Sequence, residues 1–123
     1  ELGYAGGYHN LACSYSNGTG VEIDKKKAKH YYELATMGGD IMARHNLAGV
    51  EGQGGNHHRG MKHLILAARA GHELSFDMVK EGFQNGLVMK DEYASTLRAY
   101  HERQKEMNSD ARDKAAASDM FSY

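Results

Sequence analysis

The chain has 123 residues, enough for one domain, and its 15 Lys plus Arg against 16 Asp plus Glu leave no overall field to hold phosphate backbones or anionic lipid, which disfavours nucleic acid and membrane surfaces as partners. A single cysteine, Cys13, excludes an internal disulfide framework and makes a reducing, cytoplasmic compartment the default expectation, and no apolar run approaches the ~20 residues that span a bilayer. Fifteen glycines and no proline leave glycine as the only strong breaker, and the alternation of Val, Ile, Thr and aromatics that marks strands is absent, so the expected fold class is all-α. The opening Glu1-Leu2-Gly3 carries no initiator methionine, and the chain reads as a piece of a longer protein.

Taken in chain order, the elements repeat. Gly3 opens a first unit whose Gly7, Leu11 and Tyr15 fall four apart and form one helical stripe, stopped by Asn17-Gly18-Thr19-Gly20. Asp24 is a credible N-cap for "KKKAKHYYELATM", which closes on Gly38-Gly39. Gly39 opens a second unit with Ala43 and Leu47 on the stripe, a Gly52-Gln53-Gly54-Gly55 turn and a second helix from about His57 to "LAARAG". "YHNLA" at 8–12 and "RHNLA" at 44–48 lie 36 residues apart, inside the window that signals stacked supersecondary units. Leu11 and Leu47 are expected to plug the same hole in successive helix pairs, and the small residues Ala35, Thr36, Ala67 and Ala68 to let helices close together.

Gly71 opens a third unit with Ser75, Val79 and Phe83, an Asn85-Gly86 turn, and a second helix from Lys90 that carries Tyr93, Leu97 and Tyr100 on one face before turning wholly polar. That profile suits the solvent-facing cap a repeat array needs, and Ser109 can N-cap a further helical extension over 109–123. The units are drawn at about 3–38, 39–70 and 71–108, giving a solenoid of antiparallel helix pairs with a C-terminal helical cap.

Over residues 3–39, Gly7, Leu11, Ala12, Tyr15, Gly18, Gly20, Val21, Asp24, Ala28, Tyr31, Ala35 and Gly39 occupy the places of a known pattern. The segment resembles the Sel-one-like repeat, a relative of the tetratricopeptide repeat. The second unit departs at Glu51, in the tyrosine place, and at Gly60, in the alanine place; the third departs at Lys80. The resemblance implies an α/α superhelix whose first helices line a concave surface, serving as a protein–protein interaction scaffold or adaptor. Family members that bind β-lactams carry paired cysteines, and Cys13 stands alone, so that activity is not expected here.

No constellation in the sequence points to catalysis or to a cofactor. The glycine turns are not followed by Gly-Lys-Ser/Thr and follow no strand, so they are not phosphate cradles. Asn17-Gly18-Thr19 is a glycosylation acceptor by sequence. His57, His58 and His63 have neither cysteine nor aspartate near them to complete a metal site, and His9 with Cys13 lacks a third, orienting group. A small-ligand or metal-binding helical module using the histidines is the alternative function. Lys25, Lys26, Lys27 and Lys29 read as a solvated face, or as a patch for an acidic partner. Tyr15, Tyr31, Tyr32, Phe83 and Tyr93 recur with the units as packing residues should. On a helical wheel His9 and Cys13 lie opposite Leu11, and His45 and Asp77 take the same place in the next units. They are expected to form an outward ladder along the concave groove, flanked by Asn10, Arg44, Asn46 and Glu81, as the surface for a protein or peptide partner.

Overall fold

The computed structural model describes residues 5–120, with side-chain surroundings over 7–117; the expected opening at Gly3 and the last three residues of the extension lie outside the described residues. Among the described residues six α-helices follow one another: α1 (Ala5–Asn17), α2 (Lys25–Met37), α3 (Ile41–Gln53), α4 (His57–Arg69), α5 (Glu73–Gln84) and α6 (Lys90–Met120). Among the described residues there is no strand. Each helix packs on the next in the chain, and α6 reaches back to α4 as well. The protein is an all-α repeat solenoid, as its glycine punctuation implies.

The corners between units are built alike. Gly39 and Gly71 take φ of 94° and 100°, a region closed to most L side chains. In both corners the glycine N–H donates to the carbonyl three residues back, Thr36 or Ala68, and the next N–H donates to Ala35 or Ala67. Asp24 and Asp40 then start α2 and α3 by accepting from the backbone N–H groups of Lys27 and Ala43.

Among the described residues the core is two apolar clusters in series. Ala12, Ala28, Tyr32, Ala35, Ala43 and Leu47 form the first; Ala48, Leu64, Ile65, Ala68, Phe76, Val79 and Val88 form the second, with Tyr93, Leu97 and Tyr100 laid against it. The small residues expected at helix closures are buried, Ala35 at 0% and Ala67 at 1% exposure. The aromatics are packing groups: Tyr15 stacks on Tyr31 at 5.9 Å between ring centroids and Phe83 on Tyr93 at 4.4 Å.

Three expectations fail in detail. Leu11 does not plug the hole that Leu47 fills: it is 43% exposed against 2%. Leu47 and Val79 bury against the second helix of the unit before them, and α1 has no such helix before it among the described residues. The second unit's turn is shorter than Gly52–Gly55, because α3 continues through Gly52 and Gln53. Ser109 is no N-cap either. It lies inside α6, which runs unbroken for 31 residues, crosses the α4–α5 corner where Gln104 Nε2 donates to Gly71 O at 3.0 Å, and then runs exposed over 105–117.

Candidate interaction groove

A cavity of about 360 Å³ opens between the first helices of the units, lined by Cys13, Ser16 and Asn17 of α1, by His45, Asn46, Gly49, Val50 and Gln53 of α3, by Met78 of α5 and by Tyr32 of α2. It adjoins a second cavity of about 240 Å³ through Gly49 and Met78, where Leu64, Leu87 and Glu81 take over. The two make one groove, polar at the α1 end and apolar at the α5 end. Gly49 sits in its wall, exposed, in the middle of α3, with no atom within 4 Å of the place a Cβ would take.

The ladder expected along this groove is instead largely a set of joints between units. His9 Nδ1 donates to Asp40 Oδ2 at 2.9 Å, which leaves Nε2 as the acceptor for Asn46 Nδ2 at 3.4 Å. Asp40 therefore caps α3 with one carboxylate oxygen and holds α1 with the other. At the equivalent joint His45 meets His72, the N-cap of α5, with rings 4.9 Å apart. Their shared partner is Ser75, whose hydroxyl lies 2.7 Å from Nδ1 of each. The Ser75 N–H donates to His72 Nδ1 at 3.3 Å, so that nitrogen carries no proton. Ser75 Oγ then donates to His72, and His45 Nδ1 donates to Ser75 Oγ. Burial and the facing His72 push the His45 imidazole below its ordinary pKa.

The remaining members of the expected set scatter. Cys13 lines the groove with Sγ 3.4 Å from the Tyr32 hydroxyl, whose pKa is raised by burial and by the thiol. Asn46 lines the first cavity and Glu81 the second. Asn10 and Asp77 are exposed and line neither. Arg44 turns away into a separate cavity with His63, donating from Nη1 to His63 Nδ1 at 3.3 Å. His45 lines the first cavity while also joining two units, whereas His9 lines neither cavity; both lie opposite their own helix partners, where the next unit's N-cap and first turn close over them. Ser16, Asn17, Gly49, Gln53 and Met78 were missed, although a helix-interior glycine that nothing in the fold requires was a usable signal.

The lysine run is not wholly a solvated face. Lys25 Nζ donates to Ser16 O at 3.0 Å, and Lys27 Nζ lies 5.1 Å above the Tyr15 ring. Lys29 Nζ lies 3.4 Å from Oε1 of Glu51, a carboxylate buried to 1% exposure that also takes the Asn56 amide at 3.2 Å and has Arg59 Nε 3.4 Å from Oε2. Burial alone would raise the Glu51 pKa; the Asn56 hydrogen bond and the Lys29 and Arg59 charges outweigh it and hold it below the usual carboxylate range. Among the described residues no helix is long and apolar enough to cross a membrane.

Two segments, residues 5–40 and 41–72, each match the family model described as Sel1 repeat. They take in α1 to α4 with the corners that follow each pair, and α5 and α6 lie beyond them. No curated protein is similar enough to the chain to count as a match.

Proposed function

The chain belongs to the Sel1 repeat family, and from that membership we propose that it is a non-enzymatic scaffold that holds a segment of a protein partner in the groove between α1, α3 and α5. Sel1 repeats are in general protein–protein interaction modules. The observation that carries the reading to this groove is Gly49. A glycine inside a helix costs about 1 kcal/mol relative to alanine, and no corner, bulge or close helix contact at this position offsets that. A glycine there bares the α3 backbone to whatever enters, and Met78, 44% exposed opposite it, offers an apolar anchor.

The polar end would serve hydrogen-bonding side chains of the partner through Asn46, Gln53 and Ser16, and the apolar end one or two aliphatic residues. A peptide selected from a random display library on the whole chain tests this. Gly49→Leu should fill the groove and abolish binding while leaving the helical spectrum intact, and Arg98→Gln, on exposed α6 surface, should leave affinity unchanged. Undiminished binding to the Gly49→Leu protein would move the interaction surface elsewhere.

A further inference from the structure

Aligning the helices by their bounds shows what the middle unit has exchanged. In the first unit Tyr31 of α2 lies between Tyr8 and Tyr15 of α1, at 6.0 and 5.9 Å. Adding the unit spacings puts Arg44, Glu51 and His63 at those three places. The third unit returns to aromatics in its first helix, with Phe76 on Tyr100 at 4.2 Å and Phe83 on Tyr93 at 4.4 Å. An aromatic sandwich between two apolar neighbours has become an arginine, a histidine and a carboxylate. Replacing good apolar packing by buried ionic groups seldom adds stability, and a local departure from an otherwise consistent pattern is where function is to be sought.

Two groups beside the exchange, Arg44 and Thr36, lack natural partners. Glu51 is taken up by Lys29, Arg59 and Asn56, so Arg44 has no carboxylate within ion-pair distance among the described residues, and its hydrogen bond goes to a neutral imidazole. Burial, Arg44 and Arg59 together keep His63 below its ordinary pKa, against the opposing pull of Glu51 and of Glu33 at the rim. Thr36, nine-tenths buried on α2, has a hydroxyl with no hydrogen-bond partner. Arg44, His63, Thr36 and Arg59 all line one open cavity of about 380 Å³ between α2, α3 and α4, which shares no residue with the groove.

We propose that this cavity is a second binding site, which takes a single oxyanionic group, a carboxylate or a phosphate, between the Arg44 and Arg59 guanidinium groups, and that the Thr36 hydroxyl, closed off from solvent in the unliganded protein, turns about the Cα–Cβ bond to meet it. The chemistry fits each partner. Guanidinium forks match planar carboxylate and tetrahedral phosphate oxygens in paired hydrogen bonds. The threonine hydroxyl supplies the donor that such an oxygen accepts, which removes its own unmet demand. Glu33 on the rim selects against a bulky polyanion and for one isolated group. The site stands or falls independently of the groove.

The test is a nuclear magnetic resonance titration of the whole chain at pH 7.5 and constant ionic strength, with inorganic phosphate in one arm and acetate in the other. It follows the Arg44 Nε–Hε signal and the Thr36 amide. Saturable shifts at both are expected. Saturation by phosphate alone assigns the site to a phosphorylated group, and saturation by acetate as well to a carboxylate. Arg44→Gln should remove saturation, and Thr36→Val, which exchanges the hydroxyl for a methyl, should weaken it about tenfold; Arg98→Gln should change nothing. Should Arg44→Gln fail to fold, Arg59→Gln at an exposed position serves with Thr36→Val in its stead. Shifts that grow linearly in both arms, or equal affinity in the wild type and these variants, would overturn the proposal.

Discussion

The carbonyl oxygen of Ala48 on α3 lies 2.9 Å from the place a Cβ on residue 60 of α4 would occupy, so the glycine of the middle unit is what lets these two helices close. In the first unit the same place holds Ala28, fully buried. Gly60→Ala gains helix propensity but drives a methyl into backbone that cannot give way, and a net loss of about 1 to 2 kcal/mol is expected. Gly49→Ala meets nothing and should gain about 0.5 to 1 kcal/mol. Urea midpoints of the two variants should therefore move in opposite directions.

Ala35 and Ala67 each sit at the end of a unit's second helix, 0% and 1% exposed, where the chain turns into the next unit. Leucine there has no free volume, and Ala35→Leu and Ala67→Leu should each cost about 1 to 3 kcal/mol. Lys26→Leu, on exposed surface, should stay within about 0.5 kcal/mol of wild type. Coincident denaturation midpoints for all three would contradict the helix closures described above.

Stability should fall as the solution is acidified below neutrality. His45 and His63 both have folded pKa values beneath the ordinary 6.5, so between those values and 6.5 the unfolded chain binds more protons than the folded one. Their contribution is whole above 6.5 and is lost as pH falls through the folded values. Glu51, lowered from 4.5, adds a further loss in the range beneath that value. Melting temperature measured from pH 7.5 to 5 should decline, and the double substitution His45→Gln, His63→Gln should flatten the decline; an unchanged slope would locate the acid sensitivity elsewhere.

Glu51 has three partners that lose their carboxylate together in Glu51→Ala: Lys29, Arg59 and the Asn56 amide. Lys29 and Arg59 can turn to water, which moderates the loss, and about 1 to 3 kcal/mol is expected. Glu51→Gln retains the Asn56 bond and should cost less. Thermal melts of both at pH 7 would show the order.

Fold class and helix order were legible because period and punctuation agree along the chain: stripes four apart, glycine corners and aspartate caps each point to the same helix pairs. Leu11 shows the limit. A stripe reveals which side of a helix is apolar, but whether another helix covers it depends on what the solenoid places there. The candidate groove was legible only in part for a related reason. A wheel places His9 and His45 away from their own pair and is silent on the next unit's N-cap and first turn, where Asp40 holds His9 and Ser75 holds His45. Arg44 lies a single position from His45, yet the 100° between successive helical residues carries it to another cavity. Cys13, His45, Asn46 and Glu81 fall on the groove because the wheel's direction and the open space coincide there.

The successive pairing of neighbours along this chain also governs how it comes to be folded. Even the His9–Asn46 bond joins residues only 37 apart, and most helix contacts join consecutive elements. Loop-closure entropy is therefore small at every step, the topology has low contact order, and assembly is fast and can start at any helix pair. Opening follows the same rule in reverse. Among the described residues, α1 packs on α2 alone and the far part of α6 stands exposed, whereas α2, α3, α4 and α5 are each held from two sides. Backbone amides of α2 to α5 are thus expected to exchange with solvent deuterium more slowly than those of the exposed part of α6.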